Sequence, residues 1–245
     1  MNAGCFFTAD WDAPPAVKTL ITTRQGGVSE GVFASLNLGL HVGDHPQHVL
    51  HNRTLVQQAV PVPMAYLNQT HSTDVVRAAD SIEQPQNADA SWDDTGKAAC
   101  TVMTADCLPV LFCHQSGNVV AAAHAGWRGL AGGILQNTVR AMGVPAHEIM
   151  AYLAPAIGAE SFEVGGDVQA AFCAPNPDAQ SCFAPLGNGK YLADIYGLAR
   201  QILQQAGVSR IYGGDFCTVK ESDRFFSYRR DGQTGRMASA VWIER

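Results

Sequence analysis

No apolar run of about 18 residues occurs in this chain, so a membrane-spanning helix is not expected. A basic excess is missing too. Lys and Arg number 16 against 22 Asp and Glu, a formal net charge of −6, so the electrostatic footprint of a nucleic-acid binder is absent. Residues 1–15 lack the basic-then-apolar pattern of a secretory leader, and a cytoplasmic location is expected. CxxC pairs are absent and the seven cysteines are an odd number, so they are read as free thiols, most of them packed like small hydrophobes. GxGxxG, P-loop and HExxH patterns are missing, and no nucleophile elbow is expected. Internal repeats, low-complexity tracts and linkers are also missing. Residues 1–245 are therefore read as a single domain, with 47% hydrophobic residues to build its core.

What is present is a mixture of short elements. Residues 17–23 read as a strand running into the Gly26-Gly27 turn, and residues 33–43 as a shaped Gly/Asn/Ser loop. Pro46 opens a helix that extends to about residue 60. Strands are expected at 65–69, 75–79, 99–104, 108–113, 119–124, 149–153, 209–212, 225–228 and 238–243. Helices are expected at 134–142, 166–174 and 191–206, and loops at 84–95 and 175–189. The strands at 99–124 are continuous apolar runs, the mark of strands buried on both faces. Without a strict βαβ beat the pattern predicts an α+β fold, a single layered domain of mixed β-sheets packed with helices.

Three residues stand out against this background. Cys107 and His124 each interrupt an apolar run, and His71 sits in a turn between two expected strands. Two His and one Cys suit a catalytic zinc site that leaves a fourth position for water or substrate. The same set is a blue-copper ligand set, but eight His without any HxH pair are too few for a trinuclear multicopper centre, so copper ranks below zinc. A Cys107 nucleophile with His71 or His124 as base is an alternative, and so is a non-catalytic, metal-stabilised binding module. His45, His48 and His51 walk around their helix and read as a solvated face, whereas His41 lies among residues that look positioned. Asp106 is a candidate carboxylate for orienting a ligand His, or an ordinary cap.

The segments TTRQGGVSEGVFASLNLGLHVGD, NQTH, MTADCLPVLF, AAAHAGWRGL, FEVG, KYLADI and FFSYRRDGQTGRMAS together resemble the YfiH family, in the same order and across nearly the whole chain. That family has been described both as laccase-domain polyphenol oxidase and as purine nucleoside phosphorylase. The resemblance implies a metal, usually zinc, at His71, Cys107 and His124. It implies phosphorolysis of adenosine, inosine and methylthioadenosine, and adenosine deamination. Peptidoglycan editing, the removal of L-Ser from a UDP-N-acetylmuramyl precursor, is the alternative it brings. The expected partners are then a nucleoside or UDP-muramyl substrate and phosphate, with neither nucleic acid nor membrane. Arg24, Arg128, Arg229 and Arg230 are the candidate anion holders, and Asn37 and Gln69 the candidate polar contacts. Thr70, Ser72 and Ala154 depart from the residues the family commonly has there, and these departures bear on the pocket lining.

Overall fold

The structure, a computed structural model, describes residues 4–245. Residues 1–3, part of the stretch read for a leader, lie outside the described residues. β1 (Phe6–Phe7) folds back on β2 (Val17–Thr22), and a long loop leads to α1 (Pro46–Gln57), which has Pro in its first turn. Then come β3 (Met64–Ala65), β4 (Val75–Arg77), β5 (Ala90–Asp93), β6 (Ala99–Thr104), β7 (Leu108–His114) and β8 (Val120–Ala125). α2 (Trp127–Gly132) and α3 (Ile134–Ala141) follow, separated by Gly133 at φ 103°. Next are β9 (Ile149–Leu153), β10 (Glu163–Gly165), α4 (Gly166–Cys173), β11 (Phe183–Gly187) and β12 (Lys190–Ala193). The chain closes with α5 (Ile195–Gln205), β13 (Arg210–Gly213), α6 (Tyr228–Asp231) and β14 (Met237–Ile243).

The strands form sheets of order β1-β2-β14-β6-β3, β13-β9-β7-β8-β5-β4 and β10-β12-β11. Parallel and antiparallel pairs mix within the two larger sheets, so the expected α+β class is the observed one. Side-chain alternation shows how the layers stack. Leu108, Val110 and Phe112 of β7 face the helices of one outer layer, while Leu111 and Cys113 face inward. Cys100 and Val102 of β6 meet them from the other large sheet. That sheet's outer face, with Met103, Ala240 and Trp242, packs under Val56 of α1 and Leu36 and Leu38 of the loop before it. The order is helices, sheet, sheet, helix and loop. Both large sheets are covered on both faces, which is why their central strands read as unbroken apolar runs. Among the described residues no helix is long and apolar enough to cross a membrane.

Several expected elements come out differently. The expected loop at 84–95 contains β5, an internal strand between β8 and β4. Its Ala-Ser-Trp-Asp lacks β-branched residues, and pairing on both sides decides its state. The expected helix at 191–206 begins only at residue 195. Asn188 and Gly189 turn with positive φ, which makes β11 and β12 a hairpin, and the Asp194 side chain caps α5 by accepting from the Gly197 N–H. The loop expected at 175–189 accordingly holds a 3-10 turn (Pro177–Cys182) and β11. The expected strand at 225–228 is not a strand. Phe225 and Phe226 are buried with Ala105 and Met237, and Ser227 caps the short α6. The strands expected at 65–69 and 75–79 shorten to two and three residues. The Gly-rich residues 126–133 form a helical turn, α2.

Candidate functional site

The site lies at one end of the six-stranded sheet. Cys107 immediately precedes β7, following Asp106 at φ 90°. His124 is near the end of β8, paired across the ladder with Pro109. His71 is carried by the loop between β3 and β4 at φ 60°, a left-handed conformation costly for a non-glycine residue and held here by its neighbours. The donor atoms of His71, Cys107 and His124 all lie within 4.8 Å of one another. The imidazole rings meet edge to face at 4.8 Å between centroids.

What holds the two histidines in place is Asp89, a fully buried carboxylate just before β5. It accepts from the backbone N–H groups of Thr70 (3.1 Å), His71 (3.0 Å) and Ser72 (2.6 Å), and from the Ser72 hydroxyl (2.8 Å). It accepts also from the Thr70 hydroxyl, at 3.4 Å, and from His124 Nδ1, at 2.7 Å. One carboxylate thereby sets the His71 loop and fixes the His124 tautomer, leaving Nε2 free for a ligand. Burial by itself would raise the Asp89 pKa. The bonds from His124 and Ser72 outweigh it and hold the carboxyl well below the usual range. For His124, burial would lower the pKa, but the Asp89 bond and the neighbouring Cys107 carry it up to about 9. His71 is pushed down, first by partial burial and then by the His124 charge.

The donor set fits a single metal ion. Its inner side is kept open by Gly126, where a Cβ would come within 2.5 Å of His71 Nδ1 and 3.1 Å of Cys107 Sγ. Gly126 also begins α2, whose Gly129 approaches the Ser72 carbonyl so closely that a Cβ would stand at 3.0 Å. The small residues after His124 thus let the His71 loop and α2 close around the three donors.

The donors open into a cavity of about 990 Å³, at the upper end of the range for small-molecule sites. Tyr66, Trp127, Phe162 and Tyr228 give it aromatic walls, and Arg53, Arg128, Arg229, Arg236 and His41 line it. Of the anion-holding candidates from sequence, Arg128 and Arg229 are brought here and Arg24 and Arg230 are not. Arg24 donates to the Ala34 and Ser222 carbonyls, and Arg230 to those of Thr218, Val219 and Phe225. Arg229 is partly engaged with the Glu163 carbonyl, whereas the Arg128 guanidinium stacks on Trp127. Gln69 lines the cavity, but its amide clasps the backbone N–H and C=O of Met103. Asn37 is fully buried away from the cavity and bonds Asp44 and Gly39. Asp106 orients no histidine. It accepts from the Thr218 hydroxyl and the Arg229 N–H, both at 2.6 Å. Residues 27–31 spell G-x-S-x-G, yet Ser29 is buried, donates to Asp44 and accepts from Asn52, and among the described residues no histidine hydrogen-bonds to its hydroxyl.

Sequence reasoning missed Asp89, Arg53 and Arg236. Asp89 sits in a polar stretch that reads as loop. Arg236 lies within the segment FFSYRRDGQTGRMAS, set apart from the adjacent pair Arg229-Arg230 and without a motif of its own.

Residues 18–244 match the family described as multi-copper polyphenol oxidoreductase laccase. The chain is 51% identical over all of both chains to a purine nucleoside phosphorylase of Pseudomonas aeruginosa. It is 50% identical to the purine nucleoside phosphorylase YfiH of Escherichia coli, with 95% of this chain and 96% of that one covered. Its fold is similar to the crystal structure of a Neisseria meningitidis protein, with a TM-score of 0.98, 64% identity, and coverage of 98% of this chain and all of that one.

Proposed function

The chain belongs to the family described as multi-copper polyphenol oxidoreductase laccase, and from that premise we propose that it is a purine nucleoside phosphorylase with one metal ion, zinc, held by His71, Cys107 and His124. The observation that carries this reading is the convergence of those three donors, braced by buried Asp89, on a cavity with aromatic walls and arginines. His45, His48, His51, His114 and His147 lie outside the cavity lining, so the ligand supply suits one ion and not a trinuclear copper cluster. The names of the relatives from Pseudomonas and Escherichia support the same activity.

Phosphorolysis of adenosine, inosine or methylthioadenosine joins a phosphate oxygen to ribose C1′ and breaks the C1′–N9 bond. The electron pair leaves on the purine, which takes up a proton. Trp127, Phe162 and Tyr228 offer faces on which a purine stacks. The cavity arginines bind phosphate and counter the charge it brings to C1′. His71, Cys107 and His124 would hold a zinc ion, which would supply a Lewis acid beside the substrate. Adenosine deamination, in which water replaces the C6 amine and ammonia leaves, draws on the same pocket.

The test is to incubate zinc-analysed protein with inosine, and separately with adenosine, with and without phosphate. Ribose 1-phosphate and free base should appear only when phosphate is present, and chelation should abolish them. Absence of base release, together with hydrolysis of the L-Ser amide in a UDP-muramyl precursor, would sink the nucleoside reading. Turnover that survives complete metal removal would point instead to Cys107 as the nucleophile.

A further inference from the structure

The cavity has a charge balance opposite to that of the chain. Acidic residues outnumber basic ones by 22 to 16 overall, yet four arginines and His41 line the cavity against a single carboxylate, Asp106. That carboxylate is occupied by Thr218 and the Arg229 N–H.

Two of the four arginines form a pair. Arg53 on α1 donates through Nε to the Leu38 carbonyl, lies over the Tyr66 ring at 3.9 Å and reaches Met103 Sδ with Nη2. The Arg236 backbone carbonyl accepts from the Leu38 N–H, and its side chain packs so tightly on Gly39 that a Cβ there would come within 2.8 Å. The two side chains therefore bracket the same short loop, which ends in His41. Partial burial lowers the His41 pKa, and the charges of Arg236 and Arg53 lower it further, which places the imidazole within the field of both. Arg236 lines the same cavity as Cys107, His71 and Arg53, and its charge is felt at both Cys107 and His71.

Among the described residues neither guanidinium has a carboxylate within ion-pairing distance. Arg53 keeps Nη1 uncommitted, and Arg236 uses only Nη1, on the Thr234 and Gly235 carbonyls. Two half-buried, positioned guanidiniums with free N–H groups and no internal counter-ion are an incomplete arrangement, and an oxyanion with several acceptor oxygens completes it. Arg128 and Arg229 do not make an equivalent pair. Arg229 is tied to carbonyl groups, and Arg128 is exposed on Trp127.

We propose that Arg53 and Arg236, with His41, form the subsite for inorganic phosphate beside the His71–Cys107–His124 centre. This rests on the phosphorylase reading and assigns that reaction's second substrate to a place. Neutral His41 donates one further N–H to the bound anion. The Tyr66 face under Arg53 keeps that guanidinium flat and aimed.

Inorganic phosphate binding is measured by calorimetry on the zinc-loaded protein, alongside the KM for phosphate with inosine. Arg53→Met and Arg236→Met should each weaken phosphate binding at least about 10-fold, while zinc content and inosine binding stay within about 2-fold. Arg53→Lys and Arg236→Lys, which keep charge and fold but lose the two-pronged contact, should fall between. Phosphate affinity unchanged in the Lys and Met variants, or lost in Arg128→Met instead, overturns the subsite. If the wild type cleaves no nucleoside yet binds phosphate with this pattern, the subsite stands and the phosphorylase reading falls. If it cleaves nucleosides and the variants keep the wild-type phosphate KM, the subsite falls and that reading stands.

Discussion

Asp89 does at the scale of one residue what the sheet alone cannot do: it ties a turn at residues 70–72 to His124, which lies 35 positions after the aspartate itself. Asn in its place keeps the shape but turns an N–H₂ group toward donors that need an acceptor. Asp89→Asn should therefore weaken metal binding by about 10- to 100-fold, the range for groups that orient a metal's ligands. Competition against a chromogenic chelator measures this, and wild-type affinity in the variant would show that the carboxylate only stabilises the loop. Ser72, one of the departures from the common family residues, adds a hydroxyl to that carboxylate, so the departure is absorbed by the support of the site. Gly126 offers a complementary test. A methyl group there occupies the space between His71 and Cys107 while the Gly126 backbone, at φ −62°, already suits any residue. Gly126→Ala should lose metal binding and keep its fold, seen as metal-free protein with an unchanged circular dichroism spectrum.

At the scale of elements, Asp194 marks where a strand gives way to a helix. Its side chain accepts the Gly197 N–H at 2.9 Å and sets the first turn of α5. Asp194→Ala should cost about 1 kcal/mol, read as a lower urea midpoint at unchanged slope, with zinc affinity untouched. The cap also explains a limit of the sequence. Residues 190–193 continue the apolar spacing of α5, and only the turn at Asn188-Gly189 and the cap assign them to β12. The central strands β6, β7 and β8 were legible because burial on both faces wrote them as apolar runs. The small sheet β10-β12-β11 was not, because its strands are partly exposed and lack that pattern. The same contrast holds for the site. His124, inside β8, and Cys107, at the mouth of β7, were visible as interruptions of apolar runs. Asp89 was hidden among the polar residues of 84–95, and Arg53 and Arg236 become neighbours only when α1 and the start of β14 close on the loop at 38–41.

At the scale of the whole molecule, the layer between the two large sheets is where stability depends on staying uncharged. Cys100 of β6 and Cys113 of β7 both lie in it, fully buried. Burial pushes the Cys113 thiol up to about 12 and the Cys100 thiol above its ordinary value of 9.0 as well. Burial also pushes Tyr66, in the cavity wall, up to about 12. The neutral thiol is the form the fold accepts, so the contribution of Cys113 is whole below about pH 9. It fades as pH climbs toward 12, because the unfolded chain ionises first. At pH 10.5 the gap from 9.0 amounts to about 2 kcal/mol for Cys113 alone, at roughly 1.4 kcal/mol per pH unit. Unfolding by urea at pH 8 and pH 10.5 should show at least that loss. Cys113→Ala, although less stable at pH 8 through the small void it leaves, should lose less between the two pH values. An equal loss in variant and wild type would place the alkaline weakness elsewhere in the molecule.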